Sequence, residues 1–135
     1  MADSVLDSMA NHLEFLGYEI TKDPERNAFR GKHANLAGFR AREMGSGILF
    51  TTIFGCNDTA KSDGAAFLGC INALNEKAVV ARFYSDQDPK DLALYIETWQ
   101  PNLYEKTVFG NFFEVLQRDI RLLNDHDIKI ATYLA

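Results

Sequence analysis

The sequence predicts an α+β fold, an antiparallel sheet with helices packed on it in the order α-β-β-β-α-β-β-α, as a single domain over residues 1–135. Three observations carry this. Runs of alternating apolar and polar residues are joined by turns too short for a crossover, so neighbouring strands must be antiparallel. Segments of helical periodicity separate those runs into blocks. Finally, Asn102 to Asn124 carries Phe109, Phe112, Phe113, Leu116, Ile120 and Leu123 at helical spacing, with Val108, Val115 and Leu122 in a second line beside them. So wide an apolar face calls for a sheet to lie on.

The elements follow in order. Residues 4 to 16 read as a first helix, with Ser4 and Asp7 in capping relation, Leu6, Met9, Leu13 and Leu16 on one face, and Gly17 closing it. Tyr18 to Thr21 can then run extended, and Lys22 to Asn27 turns at Pro24. Ala28 to His33 is an extended segment, and Gly38 to Glu43 is a strand in which Phe39 and Ala41 alternate with Arg40 and Arg42. Gly45, Ser46 and Gly47 turn the chain into Ile48 to Phe54, apolar on both faces and therefore central.

Gly55 to Lys61 reads as a loop, with Ser62 or Asp63 capping a second helix to about Glu76. Its stripe is Phe67, Cys70, Ile71 and Leu74, and Ala65, Ala66, Gly69 and Ala73 keep the rest small-sided. Ala78 to Tyr84 and Asp91 to Trp99 form a hairpin across a polar turn, Ser85 to Lys90. Pro101 breaks the second strand, and Asn102 with Glu105 can cap the long helix. Asp127 to Ala135 reads equally as a short strand or an extended arm.

A chain of 135 residues, 47% hydrophobic with three prolines, buries its own core without metals or disulfides. The start lacks the basic residues and apolar run of a signal peptide, and no window reaches the length of a membrane span, so a cytoplasmic protein without membrane partners is expected. The net charge of -5 hides an asymmetry: residues 26 to 42 hold Arg26, Arg30, Lys32, Arg40 and Arg42 and no acid. The acidic remainder disfavours nucleic acid as a general partner.

Candidate chemistry is sparse. His12, His33 and His126 lie in different elements without metal-ligand spacing, and no cofactor loop is present, so neither metal nor cofactor is expected. Cys56, between a strand and a helix, is the one candidate nucleophile, with burial as an ordinary small apolar residue against it. The Gly-Ser-Gly turn lies between strands, unlike a phosphate cradle. The basic segment, with Phe29 and Phe39 interleaved, has the composition of a single-strand binding face, although alternation accounts for it more simply as one solvated side of a strand. Tyr95 and Trp99 share a face and suit a protein partner if exposed.

The short first helix, the hairpin at residues 45–47, the small-sided middle helix and the long last helix together resemble the type III secretion chaperone-like fold, and bacterial YbjN-like proteins look similar. The resemblance implies a small acidic cytoplasmic protein, frequently a homodimer, that binds another polypeptide through apolar patches and catalyses nothing. The expectation is therefore a non-enzymatic chaperone-like or regulatory adaptor. Phe67, Cys70, Ile71, Leu74, Tyr95 and Trp99 are its candidate dimer or partner contacts, and a charge at Phe67 or Ile71 should break a dimer formed by the middle helix. The alternatives are nucleic-acid or anion binding through residues 26–42, and a small thiol enzyme using Cys56.

Overall fold

The structure, a computed structural model, describes residues 4–86 and 90–135. Its strands form a six-stranded antiparallel sheet, numbered here in chain order and arranged β1-β2-β3-β4-β6-β5. The α+β class and the approximate element order agree with expectation; the additional strand is the segment after Gly17. Contacts gather into two compact units, Met1–Thr52 with Thr98–Phe113, and Ile53–Glu97 with Glu114–Ala135.

In the first unit, α1 (Val5–Phe15) is capped as the sequence indicates, the Asp7 N–H donating to the Ser4 hydroxyl at 3.1 Å. Leu6, Met9, Ala10 and Leu13 are buried, but Leu16, expected on the same face, is the cap residue and exposed. Gly17, at φ 98°, turns the chain into β1 (Glu19–Asp23), which stops where Pro24 begins a 3-10 turn. β2 (Ala28–Lys32) and β3 (Phe39–Met44) follow, and β4 (Gly47–Gly55) pairs with β3 across Gly45 and Ser46. Gly45 has φ 61°, glycine at the first central position being what a type II′ hairpin favours. Gly47 thus belongs to the strand and not to the turn.

The core of this unit is aromatic. Phe39 meets Tyr18, Phe29, Phe50 and Phe113 at ring distances from 5.2 to 6.1 Å, mostly edge to face. Such pairs contribute about 0.5–1.5 kcal/mol each beyond burial. Gly31 makes room for this arrangement, because a Cβ there would stand 2.6 Å from the Phe39 ring. The apolar half of α4 (Lys106–Arg121) that belongs here, Phe109, Phe112 and Phe113, lies on the same sheet face as α1. Glu105 caps α4, its carboxylate accepting from the Val108 N–H at 2.7 Å; Asn102 does not.

In the second unit a helix begins at Asp58, earlier than the cap at Ser62 or Asp63 that the sequence suggests. The Asn57 side chain accepts from the Ala60 N–H and starts α2 (Asp58–Ser62), and Asp63, at φ -119° and ψ 49°, breaks the run before α3 (Gly64–Lys77). Phe67, Ile71 and Leu74 of α3 pack with Phe83, Leu94, Ile96, Leu123, Ile128 and Ile130. The expected strand over 78–84 is shorter, β5 (Arg82–Ser85), because the backbone before it turns to a carboxylate. Asp119, 3% exposed, accepts from the N–H groups of Val79, Val80 and Ala81 at 2.8 to 3.0 Å.

β6 (Ala93–Pro101) pairs with β5, while the expected turn around Pro89 falls partly outside the described residues. The Asn75 side chain takes both the N–H and the C=O of Phe83, at 2.7 and 2.8 Å. Residues 122–124 continue α4 as a 3-10 turn. The final segment is neither of the alternatives offered for it. It forms a 3-10 turn, Ile130–Tyr133, and a single bridge from Leu134 to Cys56, with the Ala135 N–H on the Gly55 carbonyl.

Candidate functional site

Strand register gathers the basic segment onto one face. Side chains alternate across a sheet, so the face opposite Phe29, Phe39 and Phe50 bears Arg30, Lys32, Arg40 and Arg42. Read across the strands, one row is Asp23, Ala28, Arg42, Leu49; the next is Thr21, Arg30, Arg40, Thr51; and Glu19 stands beside Lys32. Arg30 and Arg40 are direct cross-strand partners, a like-charge pairing that is unfavourable on its own. Among the described residues none of these four cations takes an ion pair, whereas Lys22 and Arg26 are held by Asp7 and Asp23.

Trp99 completes this face in the first unit. Its indole lies over Gly47, where a Cβ would be 2.2 Å from the ring, and its Nε1–H donates to the Met44 carbonyl at 3.0 Å. The ring is fixed on one side and remains 45% exposed. The residues of this face therefore offer cations that no carboxylate among the described residues holds, and a rigid aromatic surface.

In the second unit the strand face bearing Arg82, Tyr84, Tyr95 and Glu97 is satisfied internally. Arg82 donates to Glu97 at 2.7 Å, and Tyr84 stacks on Tyr95 at 5.0 Å with 5° between the rings. Arg82 also lies 5.7 Å over the Tyr84 ring. Tyr95 is half-buried in that stack, while Trp99, its neighbour by parity, falls in the first unit.

Phe67, Ile71 and Leu74 point into the core of their own unit, so a charge at Phe67 or Ile71 would unfold that core before it reported on a dimer. On α3 the exposed residues are Ala65, Ala66, Leu68, Gly69 and Asn72, with Asn75, Glu76 and Lys77 in the last turn. Cys70 is half-buried with its thiol on the Ile128 carbonyl. Burial pushes the Cys56 thiol up, and the Asp86 charge adds to this, the reverse of what activates a nucleophile. His12 Nδ1 is 2.8 Å from the Tyr104 hydroxyl in an aromatic pocket with Phe109; burial, then the Lys106 charge, lowers its pKa. Among the described residues no group of three or more His, Cys, Asp or Glu is placed to hold a metal, and no helix is long and apolar enough to cross a membrane.

Together these elements define an α+β fold built on an antiparallel sheet, with a charged and aromatic strand face as its distinctive surface. No family model matches the chain, and no curated protein does. Among solved structures, the chain is similar to YbjN from E. coli, described as a candidate transcription regulator. The two are 16% identical, with 96% of this chain and 95% of that chain covered at a TM-score of 0.72. The fold is YbjN-like.

Proposed function

We propose that the protein is a non-enzymatic, cytoplasmic regulatory adaptor of the chaperone-like kind, dimeric, that binds another polypeptide through the strand face bearing Arg30, Arg40, Arg42 and Trp99. The observation that carries this reading is that face itself: cations that take no ion pair among the described residues, beside a fixed, half-exposed indole. Indole and guanidinium groups are the side chains that most often anchor protein interfaces. A regulatory role also accords with the description of YbjN.

The test is affinity capture of the tagged protein from its own cell extract, with nuclease added to half the sample, alongside a Trp99→Ala variant and an Arg40→Gln/Arg42→Gln variant. A nuclease-resistant polypeptide lost from either variant supports the reading. Capture unchanged in both variants removes this face from the function. Binding to nucleic acid is the second reading, favoured by the register that puts all four cations on one face, and material lost on nuclease treatment would move it ahead.

A further inference from the structure

The chemistry of the partner can be narrowed, and this step rests on the adaptor reading. Arg30 and Arg40 face one another across adjacent strands, roughly 5 Å apart at Cβ, and Arg42 follows Arg40 on the same side at about 7 Å. Three arginines rooted this closely bring like charges together, and among the described residues no carboxylate pairs with them. An arriving anion with more than one charge relieves that repulsion. Guanidinium forks match carboxylates two bonds at a time, which fixes register as well as attraction.

Two features decide which polyanion fits. The aromatics interleaved with the arginines in the sequence, Phe29 and Phe39, are 1% and 8% exposed on the opposite sheet face, so they offer no platform for bases. Of the aromatics in this unit, Trp99 alone stands on the cationic side, whereas single-strand binders stack successive bases on several rings. The cationic strip is also flanked on β1 by Glu19 and Asp23, and the chain is at -5 overall, so a polyphosphate running across the strands meets carboxylates. A short peptide avoids this, placing its acids on the arginines and one apolar residue on the half-exposed Trp99 ring.

We infer that Arg30, Arg40, Arg42 and Trp99 form a docking site for an acidic polypeptide segment that carries an apolar residue among its carboxylates. Trp99 is the sole tryptophan, so its emission reads the site directly. The probe is a short synthetic peptide alternating glutamate with threonine around a central leucine. Its controls are the same peptide with glutamine for glutamate and an oligo-dT strand of matching length. The expected result is a saturable change in Trp99 emission with the glutamate peptide, absent with the glutamine peptide. It should weaken with added salt and require about tenfold more peptide in an Arg40→Gln/Arg42→Gln variant whose circular dichroism is unchanged.

No response, an equal response to the glutamine peptide, an unshifted variant, or a response to oligo-dT alone overturns the inference. The capture experiment separates this failure from failure of the adaptor reading. A partner lost on Trp99→Ala but retained by the arginine variant leaves the adaptor standing and removes the acidic segment.

Discussion

Asp119 gives the sharpest test of how the second unit is built. Its Oδ2 accepts from the Val80 and Ala81 N–H groups at 2.8 Å each, and both oxygens accept from Val79 at 3.0 Å. A hydrogen bond to a charged acceptor contributes about 1.5–3 kcal/mol, and a buried N–H stripped of its partner costs a similar amount. Val79 is 70% exposed, so its N–H passes to water on truncation. The other two bonds set an upper range of about 3–6 kcal/mol for Asp119→Ala; water entering the vacated space offsets part, leaving about 3 kcal/mol.

Asn keeps one carbonyl oxygen where Oδ2 stood, so Asp119→Asn should lose about half as much. The assay is urea unfolding followed by far-ultraviolet circular dichroism. At a slope of about 1–3 kcal/mol per molar, Asp119→Ala should lower the midpoint by roughly 1–3 M. A loss below about 0.5 kcal/mol for Asp119→Ala would refute the reasoning, since the three backbone groups would then have found other partners without cost.

Three further outcomes follow from the geometry. Gly47→Ala places a methyl 2.2 Å from the Trp99 ring and 2.3 Å from the Gln100 carbonyl, so it should cost about 1–3 kcal/mol and shift Trp99 emission; unaltered emission counts against the indole position. His12, whose folded pKa lies below its ordinary 6.5, contributes stability that is complete above that value and is lost as pH falls through the folded pKa. His12→Gln should therefore flatten the fall in stability between neutral pH and the carboxylate range, and an unchanged slope argues against it. Cys56, its thiol raised by burial, should alkylate slowly at neutral pH in the folded protein and rapidly in denaturant; fast labelling of the native form would reopen the thiol-enzyme reading.

Much of this architecture is legible in the sequence because its signals are periodic. The stripe of Phe109, Phe112, Phe113 and Leu116 specifies both the long helix and its need for a sheet, and Ser4, Gly17 and Pro24 mark boundaries through local chemistry. What escaped depends on distant partners. Val79 and Val80 have strand propensity, yet their N–H groups answer to a carboxylate some forty residues on. One signal was present: Asp119 sits at helical spacing between Leu116 and Leu123, a charge in an apolar stripe. The early start of α2 turned on one asparagine cap that reading Gly55 to Lys61 as a loop rich in turn formers passed over. For the candidate face, alternation indicated that Arg40 and Arg42 share a side. Only register, which sets Arg30 against Arg40, shows how concentrated that charge is.

Asn75 bears on how sheets of this kind meet other chains. β5 is the last strand on its side, and a terminal strand ordinarily invites a stranger's backbone to add itself. Here a side-chain amide from the neighbouring helix mimics that stranger, occupying the hydrogen-bonding groups of Phe83. Lengthening the sheet through β5, whether by a client, a twin copy or a misfolded neighbour, must first evict this decoy.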